Sequence, residues 1–191
     1  NKTRLVTMAY VNSEVGTIQP IRQLKRLFQE AEKQWGNKIL FHLDAAQAPL
    51  WLKCQFDSLG ADLLTLDTAK CCGPKGVGVL VRHRRVHLAP VMFGGGKEAG
   101  LRSGTENVAG AVGAGLAIKL AQEEWSQHHA TVPQLRDYLI TALEGELKGC
   151  VLNGSRGADR IANNVNISLP GLDTEFATVV LDEAGFAVST K

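Results

Sequence analysis

The chain has 191 residues, enough for one sizeable core or for one domain and part of another. Its formal charge of +2 lacks the electrostatic signature of a nucleic-acid binder; no apolar run approaches the roughly 20 residues of a membrane span, and no signal peptide opens the sequence. The four cysteines, Cys54, Cys71, Cys72 and Cys150, show no CxxC or CxxxH spacing, which argues against a metal centre and for free thiols in a reducing, cytoplasmic setting.

Residues 4–10 (RLVTMAY) predict a strand that runs into the loop 12–16. An amphipathic helix follows, with Pro20 suited to its first turn, Ile21, Leu24, Leu27, Phe28, Ala31 and Trp35 on one stripe, and Gly36 as its stop. Residues 39–43 then read as a buried strand with Asp44 at its carboxyl end, so strand, helix and strand form a parallel unit. Residues 49–54 connect, residues 56–60 form a short helical turn, and two further strands span 63–66 and 77–81. The basic run Arg82, His83, Arg84, Arg85 reads as a solvated turn.

Beyond Pro90 the texture changes. The glycines 94–96 form a flexible turn or simply a linker, and Arg102, Ser103, Gly104 and Thr105 present donors suited to a phosphate. Asn107 caps a long helix rich in Ala and Gly, and Thr131, with Pro133 behind it, starts another. Residues 163–169 alternate like a half-buried strand, Asp173 caps a last helix that Gly185 ends, and residues 186–189 begin a strand.

Chemistry concentrates at two strand ends. Lys70 lies just past a strand, on a turn built from Gly73, Pro74, Gly76 and Gly78. A lone loop lysine is most often solvated; a poorly solvated one has a lowered pKa and acts as an amine nucleophile. Asp44 ends another strand, with Gln47 three residues later, and ligands of open α/β sheets bind at carboxyl ends of strands. An acid and a lysine so placed suit pyridoxal 5'-phosphate, in which an Asp pairs with the protonated ring nitrogen and a Lys forms the Schiff base.

Six words carry a resemblance: VNSEVGTIQPI (11–21), HLDAAQ (42–47), GADLLTLDTAKCCGPKGVGVL (60–80), GGGKEAGLRSGTENVAG (94–110), NNVNISLPG (163–171) and GFAVST (185–190). In this order and spacing the chain resembles the NifS/IscS-like cysteine desulfurases, of the class-V aminotransferase group. The resemblance implies an α/β fold: part of a fold-type I pyridoxal phosphate transferase large domain, a mainly parallel sheet with flanking helices, plus the start of the small α+β domain. It divides the chain into residues 1–115, the second half of the cofactor domain, and 116–191, an interdomain helix and the start of the small domain.

By the same resemblance Lys70 is the Schiff-base lysine and proton carrier, Asp44 pairs with the pyridine nitrogen, and Gln47 and Ser13 approach the ring's phenolic oxygen. Thr105 reaches the phosphate of a second subunit's cofactor, which implies a homodimer. The implied reaction takes sulfur from L-cysteine, leaving alanine and a persulfide that passes to a sulfur-acceptor protein for iron-sulfur cluster assembly. Four positions depart from the family pattern: Asp67 replaces a phosphate-holding serine, Ala69 a histidine, Ser13 an asparagine and Ala99 an arginine. A phosphate-binding glycine/threonine loop, a ring-stacking histidine, the sulfur-accepting cysteine and the substrate-carboxylate arginine find no counterpart, so the chain reads as a segment, inactive alone. Two alternatives stay open: an inactive homologue kept for structure or interaction, and a selenocysteine lyase or class-V aminotransferase.

Overall fold

The computed structural model describes residues 2–190. Its elements run β1 (Leu5–Ala9), α1 (Ile21–Trp35), β2 (Leu40–Asp44), α2 (Phe56–Leu59), β3 (Leu63–Asp67), β4 (Gly78–Arg82), α3 (Val108–Glu146), β5 (Val151–Leu152), β6 (Ile167–Ser168) and α4 (Thr174–Glu183). The main sheet has the order β1-β2-β3-β4. The first three strands are parallel and β4 returns antiparallel, as the tight 73–77 connection requires. All three parallel strands therefore end at one edge of the sheet.

One face of this sheet is the core. Phe41 and Leu43 are fully buried, Leu64 and Leu66 nearly so, and Val6, Met8, Val79 and Val81 pack with them. α1 covers that face through Ile21 and through Phe28, whose ring meets Phe41 edge-on at 5.1 Å. The opposite face carries Thr7, His42, Asp44 and Thr65 and stays more open, with Leu5 and Leu80 both exposed. β2 thus alternates between its two sides, where a fully buried strand was expected, because only its odd-numbered residues have a layer above them.

α1 ends as predicted, with Gly36 at φ 66° donating to Glu32 O at 2.9 Å. Asn107 and Asp173 cap α3 and α4, accepting from Gly110 N and Phe176 N, each at 3.0 Å. The two helices expected around residue 131 are one continuous α3 of 39 residues, which also runs across the expected boundary at 115/116. Pro133 lies inside this helix, and beside it the side-chain amide of Gln134 donates to Ala130 O at 3.2 Å. Within 163–169 only Ile167–Ser168 forms a strand, against Val151–Leu152, and residues 186–189 form no strand.

A buried carboxylate ties the layers together. Asp62 is 2% exposed; Oδ2 accepts Phe41 N at 2.9 Å and faces Lys25 Nζ at 3.5 Å, while Oδ1 accepts from Arg85. Burial alone would raise its pKa, but the Phe41 and Arg85 hydrogen bonds and the Lys25 charge together hold it below the usual carboxylate range. The resulting stabilisation is complete above the unfolded value of about 4 and is lost as pH falls through the lower folded value. Asp62→Asn is expected to cost ~1–3 kcal/mol at neutral pH and to flatten the acid limb of the stability curve, as thermal melts across pH would show.

Candidate active site

Three loops leave the carboxyl edge of the parallel strands. Asp44 closes β2, is exposed, and lies opposite Ala9 and Thr65 in the register. Its Oδ1 accepts Ala46 N at 2.9 Å, which fixes the first turn after the strand and leaves Oδ2 uncommitted. Gln47 is half-buried on that same turn. Ser13 is exposed on the loop after β1, which Asn12 shapes by accepting Glu14 N and Val15 N, each at 2.9 Å. Lys70 sits in a 3-10 turn, Ala69–Cys71, directly after β3. Ser13, Asp44, Gln47 and Lys70 therefore share one end of the sheet. Thr105 lies on the exposed loop before α3, with no hydrogen bond to those three loops.

Lys70 is exposed and its amine has no partner among the described residues. The poorly solvated setting considered for it is thus not supplied by the described chain. Two grooves on the surface, one at Tyr10, Gln19, Arg22 and Ser58 and one at Gln29, Lys33 and Lys38, flank α1 and contain none of the site residues.

The Lys70 turn itself is rigidly built. Thr68 is fully buried, with Oγ1 at 2.8 Å from Pro74 O and 2.7 Å from Val77 O, and its own carbonyl accepts Cys71 N at 3.0 Å and Gly73 N at 2.8 Å. The Thr68 hydroxyl is therefore spent inside the turn. Asp67 caps the turn instead, with Oδ1 accepting Ala69 N at 3.0 Å. α3 then presses on the turn through small residues. A Cβ on Gly73 would lie 2.7 Å from Ala117 Cβ, and one on Gly113 would lie 2.7 Å from Pro74 Cγ.

A polar ladder crosses the open face beside Asp44. His42 Nδ1 lies 2.6 Å from Thr7 Oγ1, and His42 Nε2 lies 2.8 Å from Thr65 Oγ1. The period-2 alternation of β2 places His42 and Asp44 on one face, a signal present in the sequence but hidden by reading the strand as wholly buried. Cys71 behaves as a structural thiol: it is 2% exposed, and burial pushes its pKa up to about 11. Burial likewise pushes Cys54 up to about 12. Cys72 departs from the structural-thiol expectation, being exposed at φ 59°. No cluster of three or more His, Cys, Asp or Glu side chains suited to a metal occurs among the described residues.

A second interlock fixes the Ser13 loop. Asn164 and Asn166 donate to Glu14 O at 2.9 and 3.1 Å, Ile161 N donates to Gly16 O at 2.8 Å, and Ile18 N donates to Asp159 O at 2.8 Å. Beneath it, the buried Arg160 donates to Ser155 O at 2.6 Å and to Asn164 Oδ1 at 2.7 Å, while the buried Arg136 reaches Arg160 O at 2.6 Å. Two of the six sequence words, 11–21 and 163–171, are thus halves of one clasp.

Residues 1–190 match the family described as Aminotransferase class-V. The cysteine desulfurase IscS of Dictyoglomus turgidum is 38% identical over 188 residues, covering 98% of this chain and 46% of that protein. The cysteine desulfurase IscS of Methanosarcina thermophila is 38% identical over 190 residues, covering 98% and 45%. Among solved structures, a NifS-like protein superposes with a TM-score of 0.87 at 33% identity, over 99% of this chain and half of that one. A NifS-like protein from Rickettsia africae gives 0.88 at 26% identity. The mixed sheet with flanking helices is therefore the fold-type I arrangement, and the chain spans about half the length of the curated relatives it matches. No helix of the described residues is long and apolar enough to cross a membrane.

Two outcomes are expected. Gly16→Ala forces a Cβ to 2.5 Å from Asn164 Oδ1 at a backbone φ of +69°, and should loosen the clasp by ~1–3 kcal/mol, read as faster amide exchange at Ile18 and Ile161. Iodoacetamide at neutral pH should modify Cys72 in the folded protein and leave Cys71 and Cys54 unmodified, which peptide mass mapping checks.

Proposed function

The chain belongs to the class-V aminotransferase family, and we propose that it forms the part of a cysteine desulfurase that grips the ring end of pyridoxal 5'-phosphate. One observation carries this reading. Asp44 and Lys70 follow neighbouring parallel strands paired through Asp44 and Thr65, each with a free polar group at the same edge. The donor set fits the ring: one carboxylate oxygen is available for a protonated nitrogen and one amine is available for an aldehyde.

When bound, the cofactor withdraws electrons from the α-carbon of an amino acid. Asp44 Oδ2 would accept the hydrogen bond of the ring nitrogen, while Ala46 N holds the other oxygen still. Gln47 and Ser13 would supply polar groups to the ring's phenolic oxygen. Lys70 would supply the amine that holds the aldehyde and a base for the substrate's α-proton. The closed turn around Thr68 fixes the backbone that carries Lys70 at the end of β3.

The substrate is L-cysteine, whose sulfur leaves as a persulfide on an enzyme thiol and passes to an acceptor protein, with alanine released. A homodimer would bring Thr105 to the second subunit's phosphate, and the protein would work in the cytoplasm. Neither Cys71, which is buried, nor Cys72 is assigned the sulfur-accepting role. One observation favours a second reading, a catalytically silent relative: Asp67 puts a carboxylate where phosphate is expected.

Borohydride treatment with pyridoxal 5'-phosphate should fix the cofactor on Lys70, and Lys70→Ala should abolish that adduct. Peptide mass mapping decides. A label spread over Lys53, Lys75 and Lys97 with none at Lys70 would sink the cofactor assignment.

A further inference from the structure

We propose that Asp67 is a specificity residue that disfavours phosphate at the Lys70 turn, so that this end of the sheet holds the aldehyde ring well and its phosphate poorly. The inference rests on the reading of Lys70 as the cofactor anchor. It goes further, because it concerns which form of the cofactor this chain selects.

Asp67 is the last residue of β3 and alternates onto the same face as Thr65, the register partner of Asp44. Its carboxylate therefore stands at the sheet edge where the ring would sit. Oδ1 takes Ala69 N at 3.0 Å, the N–H at the start of the turn that an incoming anion would otherwise bind. Two further amides of the turn are also committed. Cys71 N and Gly73 N both go to Thr68 O, and the Thr68 hydroxyl goes to Pro74 O and Val77 O. Asp67 forms no ion pair among the described residues.

A fixed anion then occupies the place of a bound one. Two unit charges of like sign a few ångströms apart at a partly exposed site repel by enough to change affinity roughly tenfold or more. Pyridoxal, which lacks the phosphate, meets no such penalty.

The test titrates the protein with pyridoxal 5'-phosphate and, separately, with pyridoxal, fixing each with borohydride and counting adduct at Lys70 by peptide mass. Wild type is compared with Asp67→Asn, which keeps the oxygen that accepts Ala69 N and removes the charge, and with Asp67→Ser, which keeps a shorter cap. Asp67→Asn should lower the half-saturating concentration of the phosphate form about tenfold and leave that of pyridoxal unchanged. Adduct at Lys70 whose preference between the two aldehydes ignores residue 67 overturns the inference alone. Absence of adduct at Lys70 with either aldehyde in every variant overturns the cofactor reading and this inference with it. Circular dichroism of each variant shows that the turn remains folded.

Discussion

The hydroxyl of Thr68 sits in the interior between the carbonyls of Pro74 and Val77, where an open loop would have water. Those carbonyls belong to the connection that reverses the chain from β3 into β4. Without the hydroxyl Pro74 O would lose its bond to Thr68 and Val77 O would keep only the Thr68 amide at 3.4 Å, at ~1–3 kcal/mol for the lost bonding. With it, the backbone of the turn that carries Lys70 is fixed. α3 completes the constraint from outside: Gly113 and Ala117 approach Pro74 and Gly73 too closely for any larger residue. A run of small residues that reads as close helix packing thus has a definite object, the turn beneath it.

Three aspartates show how partners assign roles to one side chain. Asp62 is buried and fully engaged by Phe41 N, Lys25 and Arg85, so it holds layers together and has nothing left for a ligand. Asp44 spends one oxygen on its own turn and keeps one outward. Asp67 spends an oxygen on the turn that carries Lys70, and its charge is left beside the site. The arginines on the far side of the Ser13 loop work differently. Arg160 and Arg136 bind mainly backbone carbonyls, five-donor groups used as cross-braces.

Where the local pattern and the tertiary environment agree, the elements follow the sequence closely. α1 between Pro20 and Gly36, the caps at Asn107 and Asp173, and the three parallel strands are of this kind. Pro133 was expected in the first turn of a new helix because proline lacks a donor, yet α3 runs through it. Residues 163–169 alternate well, yet mostly serve the clasp, with Asn164 and Asn166 spending their amides on Glu14. The placement of Asp44 and Lys70 at strand ends was legible from the apolar runs before them. Thr68 and the His42 ladder were not, because their partners lie on other strands or across a turn, and no spacing rule encodes them.

The clasp joins groups 150 residues apart in the chain, Asn164 and the carbonyl of Glu14. Strand pairs such as β3 with β4 need only a short excursion, whereas this contact closes a loop of 150 residues. Distant contacts form later and more slowly than near ones. The Ser13 loop therefore reaches its final shape after the sheet it leaves, and a chain emerging from the ribosome holds that corner of the site unfinished until residue 164 has been made.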